Sequence, residues 1–398
     1  MHVGILGGGQ LARMLALAAF PLGMHVRIFD PAPDACAGQV AEHIEAKFTN
    51  AEAIVRFAEG LDVVTFEWEN VPSVAAGYLA GRLPFFPSVL ALETAQDRLD
   101  EKLLFESAGL ETAPFRTVET REELRAAVAA IRLPAVLKTR RDGYDGKGQY
   151  VLREPADEDR AWETLGPMPG GSDPVAGRVL GAMPGGSAPG AGLLLEGFVA
   201  FERELSIVGV RGRRGDVRFY PLVENHHRDG ILRLTLAPAP DVAPERQREA
   251  EAMLLEVMEE LEYVGVLAIE LFDYQGRLLA NEIAPRVHNS GHWSMDGAEA
   301  GQFENHMRAI AGLPLGSTEP LGVSAMVNLI GTLPRSEDVL AIEGAHLHLY
   351  GKEPRPGRKL GHVNVVARDR DELAARLARV QALTGGEERL GSFGARET

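Results

Sequence analysis

The amino-acid sequence predicts an α/β protein of two or three domains. Its 398 residues, 45% hydrophobic and 25% charged, are enough to build more than one apolar core. Short apolar runs alternate with helical patterns near the N-terminus, and a charged helix followed by further strands marks a change of pattern. We therefore expect a parallel α/β domain over residues 1–95, a central domain over 96–314 and a small C-terminal domain over 315–398.

The N-terminal domain is predicted from a βαβ start. The strand Val3 to Leu6 meets Gly7-Gly8-Gly9, the periodic run Leu11 to Phe20 predicts a helix, and a second strand ends at Asp30. This turn fits the dinucleotide-binding pattern with Ala12 in place of the last glycine, because glycines let a backbone approach a phosphate at a helix N-terminus. Many α/β domains keep such a turn without a dinucleotide, so the motif alone is weak evidence.

The later domains are predicted from a mixture of helices and short strands. A charged helix, Gln96 to Ser107, opens the central domain, and a helix over Asp371 to Leu383 closes the C-terminal one. We expect a flap subdomain at about residues 115–200. Within it, the Gly- and Pro-rich stretch Gly166 to Gly192 cannot build a core and predicts a dispensable loop.

The composition argues against several classes of protein. The formal net charge of -16 disfavours a general nucleic-acid binder, because binding to phosphate backbones needs clustered Lys and Arg. Cys36 is the single cysteine, which excludes an intrachain disulfide and is typical of a reducing compartment. No apolar run approaches the ~20 residues that span a bilayer. We expect a cytoplasmic protein that binds neither membrane nor nucleic acid.

Lys138 and the loop that follows it form a candidate phosphate site. Three glycines and several charged residues lie between two strands in the segment Arg140 to Gln149. The backbone N–H groups of such a flap can point at phosphate oxygens, while Lys138 supplies a point charge. Taken by itself, the segment is also explained by a solvated hairpin tip.

A β-hairpin is predicted at residues 264–284, where two apolar strands flank the turn Tyr274-Gln275-Gly276-Arg277. With Gly276 at the centre, Glu270 lies directly opposite Glu282 on one face. The same register predicts four apolar neighbours on that face: Ala268, Phe272, Leu278 and Ala280.

Two facing carboxylates predict a site for a divalent metal ion. Like charges directly opposite each other destabilise a pair of strands, and a cation between them removes that cost. Magnesium prefers one or two carboxylates together with substrate phosphates, and manganese is an alternative ion. A strand face exposed to water is the explanation that needs no metal.

Two polar loops complete the candidate site. The segment Ala284 to His292 leaves the second strand of the hairpin and brings an Arg, two His, an Asn and a Ser close to a transferred phosphoryl group. The turn Tyr350 to Lys359 carries four basic residues and is stiffened by Gly and Pro, so it can bind a substrate phosphate. A surface turn explains its charges equally well.

Together these segments resemble a known family. The stretches Gly143 to Gln149, Asn281 to His292 and Arg355 to Lys359 are similar to those of the N5-carboxyaminoimidazole ribonucleotide synthase family of ATP-grasp enzymes. The likeness runs from Gly7-Gly8-Gly9-Gln10-Leu11 almost to the C-terminus. It implies an ATP-grasp fold with an N-terminal pre-ATP-grasp domain, a small C-terminal domain and a homodimer.

The resemblance implies one step of purine biosynthesis. ATP, bicarbonate and 5-aminoimidazole ribonucleotide would give N5-carboxyaminoimidazole ribonucleotide, ADP and phosphate. Bicarbonate is a poor electrophile, and its phosphorylation converts a hydroxyl into a leaving group. The implied path therefore passes through carboxyphosphate, and the exocyclic amine attacks either this intermediate or the carbon dioxide that it releases.

The resemblance also implies roles for individual residues. Glu270 and Glu282 would hold magnesium, and Arg286, His288 and Asn289 are the catalytic candidates. The implied nucleotide site consists of Arg98, Lys138, Gly143, Tyr144, Asp145, Gly146, Lys147, Gly148, Gln149, Glu196, Gly197, Phe198, Val199, Glu204, His227, Asn281 and Glu282. The implied ribonucleotide site consists of Glu67, Tyr144, Asp145, Arg286, His288, Asn289, Ser290, Lys352 and Arg358.

Three other functions stay open on the sequence. A formate-using glycinamide ribonucleotide transformylase would share the flap and the metal pair. A dinucleotide-dependent oxidoreductase built on Gly7 to Asp30 would leave Lys138, Glu270 and Glu282 unexplained. A noncatalytic nucleotide sensor would bind ATP without turning it over.

Overall fold

A computed structural model describes residues 1–141, 143, 147–166 and 192–385 of the chain. The strands of these residues form three sheets: a parallel sheet at the N-terminus, a small antiparallel sheet and a large central one. Tyr144, Asp145 and Gly146 of the predicted nucleotide site lie outside the described residues. Most of the Gly- and Pro-rich stretch, residues 167–191, also lies outside them.

The N-terminal sheet is parallel, which confirms the prediction from the βαβ pattern. Its elements are β1 (His2–Leu6), α1 (Gln10–Ala19), β2 (His25–Asp30), β3 (Glu42–Glu45), α2 (Ala51–Ala58), β4 (Val63–Phe66), α3 (Ser73–Ala80) and α4 (Val89–Gln96). The strand order is β3-β2-β1-β4. Every residue of β4 is buried, as in parallel strands that are covered on both faces.

Asp97 divides the helix predicted over Gln96 to Ser107. The first helical stretch ends before it, and α5 (Arg98–Ser107) begins directly after it. The Asp97 side chain accepts the Leu99 N–H at 3.0 Å, which caps α5. It also pairs with Arg140 at 2.8 Å, so the start of α5 is tied to the flap.

The flap is a four-stranded antiparallel sheet. Its elements are β5 (Phe115–Val118), α6 (Arg121–Ile131), β6 (Ala135–Thr139), β7 (Gln149–Leu152), α7 (Asp157–Leu165) and β8 (Leu193–Gly197). The predicted hairpin is confirmed, since Lys138 of β6 pairs with Gln149 of β7. Gly148 has a φ of 71°, and a side chain there would approach Thr139 Oγ1 to 2.5 Å, so this position requires glycine.

The central sheet is the largest layer of the molecule. Its elements are β9 (Arg203–Arg211), β10 (Val217–Phe219), β11 (Val223–Arg228), β12 (Ile231–Ala237), α8 (Pro244–Glu260), β13 (Gly265–Tyr274), β14 (Arg277–Ala284), α9 (Ser294–Gly297), α10 (Gln302–Ala311), β15 (Val323–Ile330), α11 (Ser336–Leu340), β16 (Ala345–Leu349), β17 (Lys359–Ala367) and α12 (Arg370–Thr384). The strand order is β14-β13-β9-β11-β12-β15-β17-β16, with β10 paired to β9. The three C-terminal strands therefore extend the central sheet.

Apolar faces of two helices cover the central sheet. The helix α8 packs Ala250, Leu254 and Val257 into the core beneath β9 and β13. The α12 helix packs Leu373 and Leu377 against the C-terminal strands. Within the described ranges, no helix combines the length and apolar character needed to cross a membrane.

Candidate active site

A two-residue turn joins β13 and β14 in the predicted hairpin. Gln275 and Gly276 have φ angles of 50° and 73°, as in a type I′ turn, whose twist matches that of the flanking strands. Tyr274 consequently pairs with Arg277, and the centre of the turn lies between Gln275 and Gly276.

A β-bulge then brings the two glutamates together. The register set by the turn would put Glu270 opposite Asn281, but the pairing shifts between Glu270 and Leu271 and leaves Asn281 as the extra residue. Glu270 therefore pairs with Glu282, which confirms the predicted pair. The sequence-based register was centred on Gly276, which is one residue out of register with the real turn. The bulge at Asn281 shifts the pairing by one residue in the same direction, so the predicted pair is correct.

The bulge also makes part of the predicted face wrong. Leu278 and Ala280 pair with Asp273 and Leu271, and both apolar side chains pack in the core with Ile269. An extra residue reverses the alternation of side chains, so Ala280 and Glu282 do not share a face. Ala268 and Phe272, on the regular strand, keep the face of Glu270 as predicted.

The two glutamates line a cavity of about 580 Å³, bounded by the small antiparallel sheet, the central sheet and non-strand residues of the N-terminal domain. The wall includes these residues of the predicted sites: Glu67, Arg98, Lys138, Gly143, Lys147, Gln149, Glu196, Gly197, Phe198, Val199, Glu204, His227, Glu270, Asn281, Glu282, Arg286, His288 and Asn289. Residues from distant parts of the chain thus meet in one place, with a volume in the range of a site for a small ligand.

Four described residues of the predicted sites are not part of that wall: Gly148, Ser290, Lys352 and Arg358. Ser290 is fully buried behind it, with its hydroxyl 2.8 Å from His288 Nδ1. Lys352 donates to Gln10 Oε1, and Gln10 does line the cavity. Arg358 donates to the Glu353 carbonyl at 3.1 Å.

The facing carboxylates carry unbalanced negative charge. Arg98 Nη1 lies 3.2 Å from Glu282 Oε2, and His288 Nε2 lies 3.4 Å from Glu270 Oε1. Burial and the charge of Glu282 nevertheless raise the pKa of Glu270 to about 7. In the described ranges no three His, Cys, Asp or Glu side chains cluster as a complete metal site. The donor set therefore fits an ion that takes its remaining ligands from a substrate.

Two lysines neutralise Glu196 on the flap side of the cavity. Lys138 Nζ lies 2.8 Å from Glu196 Oε2, and Lys102 Nζ lies 3.8 Å from Oε1. Burial opposes ionisation, but the two ammonium groups outweigh it and lower the pKa of Glu196 to about 2. The Glu196 side chain is thus held in place, and the following residues, Gly197 to Val199, line the cavity.

The opposite wall pairs His227 with Glu204. His227 Nδ1 lies 3.0 Å from Glu204 Oε2. Burial alone would lower the pKa of His227, but the hydrogen bond to Glu204 and the charge of Glu270 raise it to about 9. Phe201 and Phe272 stack beside them with ring centroids 4.7 Å apart and an interplanar angle of 3°. This end of the cavity therefore combines a protonated imidazole with a flat apolar surface.

The loop after β14 is fixed by two residues that the sequence analysis missed. Glu69 holds Arg286 in a bidentate pair, with Arg286 Nη2 donating to Glu69 Oε1 at 2.8 Å. Gln302, fully buried on α10, accepts the His288 N–H at 2.9 Å and donates to the His288 carbonyl at 2.7 Å. Burial and the charge of Arg286 lower the pKa of His288 to about 3, so its imidazole is neutral.

The N-terminal glycine turn is already filled by carboxylates of the protein itself. Glu67 Oε1 accepts the Gly9 N–H at 2.9 Å and Oε2 accepts the Ala12 N–H at 3.2 Å, while Asp30 accepts the Gly8 N–H at 2.7 Å. These are the N–H groups that would face a dinucleotide phosphate. Because these N–H groups are already bonded to Glu67 and Asp30, the turn does not support the oxidoreductase hypothesis.

Three segments of the chain match known domain families. They are a ribonucleotide synthetase preATP-grasp domain over residues 1–96, an ATP-grasp domain over residues 103–303 and a phosphoribosylaminoimidazole carboxylase C-terminal domain over residues 324–376. Together with the cavity between the flap and the central sheet, these matches define the class of the protein, that of ATP-grasp enzymes.

Individual relatives narrow this class. The N5-carboxyaminoimidazole ribonucleotide synthase of Pseudomonas aeruginosa is 49% identical over 96% of this chain and 99% of its own length. The crystal structure of the synthetase from Thermus thermophilus has 52% identity and a TM-score of 0.86 over 96% of this chain and 98% of its own. The Aspergillus clavatus synthase in complex with ADP and 5-aminoimidazole ribonucleotide has 30% identity and a TM-score of 0.83, covering 97% and 98%.

The chain therefore belongs to the N5-carboxyaminoimidazole ribonucleotide synthase family. It is an ATP-dependent ligase of purine biosynthesis, as the resemblance in its sequence implied.

Proposed function

We propose that this cavity joins bicarbonate to the exocyclic amine of 5-aminoimidazole ribonucleotide at the expense of ATP. The observation that carries the proposal is the pairing of Glu270 with Glu282 on the wall of the cavity that also contains Lys138 and Arg286. A site for a metal-bound nucleotide and a site for an anionic substrate then share one cavity. The two substrates would thereby be held close enough for direct transfer.

Magnesium fits the paired carboxylates, and manganese is an alternative ion. Oxygen donors at one end of a polar cavity suit these hard cations, which also take ligands from substrate phosphates. The raised pKa of Glu270 reflects a repulsion that a bound cation relieves. When bound, the ion neutralises the phosphate oxygens and holds the γ-phosphate for transfer.

The nucleotide is assigned to the space between the flap and the central sheet. Lys138, Lys147 and the backbone of Gly143 to Gln149 would cover its phosphates, with Arg98 beside Glu282. The adenine would contact the backbone of Glu196 to Val199. The remaining members of this proposed site are Glu204 and His227 near the ribose, and Asn281; Tyr144, Asp145 and Gly146 belong to it by family likeness.

The ribonucleotide is assigned to the side of the cavity formed by the loop after β14. Arg286 offers a cation fixed by Glu69, and Asn289 has a buried side-chain amide with neither atom hydrogen-bonded within the described structure. Such an unpaired amide is costly unless a ligand bonds to it. Further proposed contacts are Glu67, His288, Ser290, Lys352 and Arg358 in the described structure, with Tyr144 and Asp145 added by family likeness.

The proposed reaction proceeds by two transfers. An oxygen of bicarbonate attacks the γ-phosphorus, the bond to the ADP oxygen breaks, and carboxyphosphate forms. The exocyclic amine then attacks the carboxyl carbon, the bond to the phosphate oxygen breaks, and the amine loses a proton. Arg286 would balance the negative charge that develops on the carboxyl oxygens.

Acid choice separates this proposal from the formate-using rival. We expect ADP release from the purified protein to require both bicarbonate and 5-aminoimidazole ribonucleotide. Formate with glycinamide ribonucleotide is the matched control pair, and it should leave ADP release at background. Release that is stimulated by the formate pair, or that needs neither acid nor amine, would contradict the proposal. Binding of ATP without any turnover would favour the sensor.

The proposal also includes the oligomeric state and the cellular location of the protein. We expect a homodimer, which light scattering coupled to size-exclusion chromatography measures directly as mass in solution. We also expect the protein to be cytoplasmic. Its single cysteine, Cys36, is a buried free thiol, and its proposed substrates are small intracellular anions. Fractionation of cells that express the tagged chain tests this location.

A further inference from the structure

The helix α5 buries a charged face. Arg98, Glu101 and Lys102 occupy positions i, i+3 and i+4, which share one side of a helix. Glu101 is 4% exposed and Lys102 is 1% exposed, whereas Leu103 on the other side is 48% exposed. Charged side chains are almost never buried this completely without partners, so the reversed polarity has a specific cause.

That cause is the bulge in β14. Glu101 Oε1 accepts the Ile283 N–H at 2.5 Å, and Lys102 Nζ donates to the Asn281 carbonyl at 2.9 Å. The strand β14 is the outer strand of the central sheet, and its outer edge is bridged at Ala280 by Thr112. The Asn281 carbonyl and the Ile283 N–H lie beyond this bridge and bond to α5 instead. The two contacts lie on either side of Glu282, one residue before it and one after it.

Lys102 also connects the two walls of the cavity. Its ammonium group lies 3.8 Å from Glu196 Oε1, while Lys138 occupies the other oxygen of Glu196 at 2.8 Å. The strand β8 of the flap and the strand β14 of the central sheet are therefore bridged by one buried side chain. Any shift of the bulge would break this bridge as well.

We propose that Glu101 and Lys102 are positioning residues that hold the bulge and thereby keep the Glu282 carboxylate opposite Glu270. This inference rests on the metal-binding role proposed for Glu282. Without the two contacts, the hairpin can return to the regular register of its turn, which puts Asn281 in place of Glu282. An amide would then replace one of the two carboxylates that face the ion.

Three variants of α5 separate positioning from folding. Glu101→Leu removes the acceptor for the Ile283 N–H. Glu101→Gln keeps an acceptor oxygen in a neutral side chain of the same shape, which is conservative because burial and the charge of Glu282 raise the pKa of Glu101 to about 8. Residues that orient metal ligands typically contribute 10–100-fold, so we expect Glu101→Leu to lose about 10-fold to 100-fold in kcat. Glu101→Gln should recover most of it, and the KM for the ribonucleotide should stay near that of the wild type. Glu106→Gln, on the exposed side of α5, is the matched control.

Binding of Mn²⁺ in the presence of ADP gives a readout that does not depend on turnover. Titration followed by electron paramagnetic resonance should give a Kd about 10-fold higher for Glu101→Leu and for Lys102→Met than for the wild type. Hydrogen exchange of the segment 277–284, measured without metal, should be faster in both variants. Glu106→Gln should match the wild type in both measurements.

The outcomes distinguish this inference from the proposed function. If Glu282→Gln binds Mn²⁺ with ADP as the wild type does, the metal assignment itself is wrong. If Glu282→Gln weakens binding while Glu101→Leu and Lys102→Met change only the melting temperature, the positioning role is wrong. Should Glu101→Leu fail to fold, Lys102→Met decides the question alone, because its apolar chain fills the same space.

Discussion

The glycine turn at the N-terminus and the hairpin of β13 and β14 both looked like ligand sites in the sequence. In the described structure the N–H donors of the turn are hydrogen-bonded within the protein, whereas the carboxylates of the hairpin repel each other. At the turn, Glu67 and Asp30 accept the N–H groups of Gly8, Gly9 and Ala12, so the donors are satisfied by the protein. At the hairpin, two carboxylates face each other, and the pKa of Glu270 is raised to about 7. A polar motif therefore points to a ligand where the fold leaves its charges unbalanced.

The largest expected effect follows from removing one carboxylate of the hairpin. Glu282→Gln keeps the shape of the side chain but loses its charge, so both nucleotide placement and charge stabilisation suffer. We expect ADP production to fall by about 100-fold or more. Glu299→Gln, an exposed position with the same chemistry, serves as control. Wild-type ADP production by Glu282→Gln would show that the hairpin needs no ion.

Lys352 tests whether the basic turn serves the ribonucleotide. Lys352→Ala removes a cation that bonds to Gln10 on the wall of the cavity. We expect the KM for the ribonucleotide to rise about 10-fold while the KM for ATP stays near the wild-type value. Arg335→Ala, an exposed basic residue outside this turn, should leave both constants unchanged. An unaltered ribonucleotide KM in Lys352→Ala would remove this residue from the site.

A substitution at Gly9 tests the claim that Glu67 satisfies the N–H donors of the glycine turn. A Cβ at Gly9 would lie 2.7 Å from Glu67 Oε1 and push the carboxylate from its N–H donors. Leaving such buried groups unpaired should lower the free energy of unfolding by about 1–3 kcal/mol in Gly9→Ala. Gly77→Ala on α3 meets nothing within 4 Å and serves as control. Equal denaturant midpoints for the two variants would mean that Glu67 does not stabilise the turn.

The smallest expected effect is that of Glu196→Gln on stability, and it is limited to acidic pH. Two lysines outweigh its burial and lower its pKa to about 2 from the ordinary value of 4.5. A lowered pKa in the folded state contributes stability above the unfolded value and loses it as the pH falls. Between pH 4.5 and 2 the wild type should therefore lose unfolding free energy faster than Glu196→Gln. Parallel pH profiles from denaturant titrations would contradict the ion pairs.

Local patterns predicted much of the fold because the determining residues are close in sequence. The turn at Gln275-Gly276 and the alternation around Glu270 predicted the hairpin, and glycines with flanking strands predicted the flap. The bulge at Asn281 was not predictable, since the groups that hold it come from α5, far away in the chain. Because of this bulge, the predicted face of Leu278 and Ala280 was wrong.

Residues that act from a distance were also missed for a physical reason. On a charged helix, Glu101 and Lys102 look like solvated side chains until the tertiary fold covers them. Their spacing from Arg98 was the only signal in the sequence, and it acquires meaning once β14 is known to be an outer strand. Glu67 was among the predicted ribonucleotide contacts, but its bonds to the glycine turn were not foreseen, because Gly9 and Ala12 meet it only through the parallel sheet.

A crystal structure of the protein with Mn²⁺ and ADP tests the central claim most directly. We expect anomalous scattering to locate the ion about 2.1 Å from one oxygen each of Glu270 and Glu282, with phosphate oxygens of ADP completing its shell. An ion bound elsewhere in the cavity, or glutamates that keep Arg98 and His288 as their sole partners beside a bound nucleotide, would contradict the account.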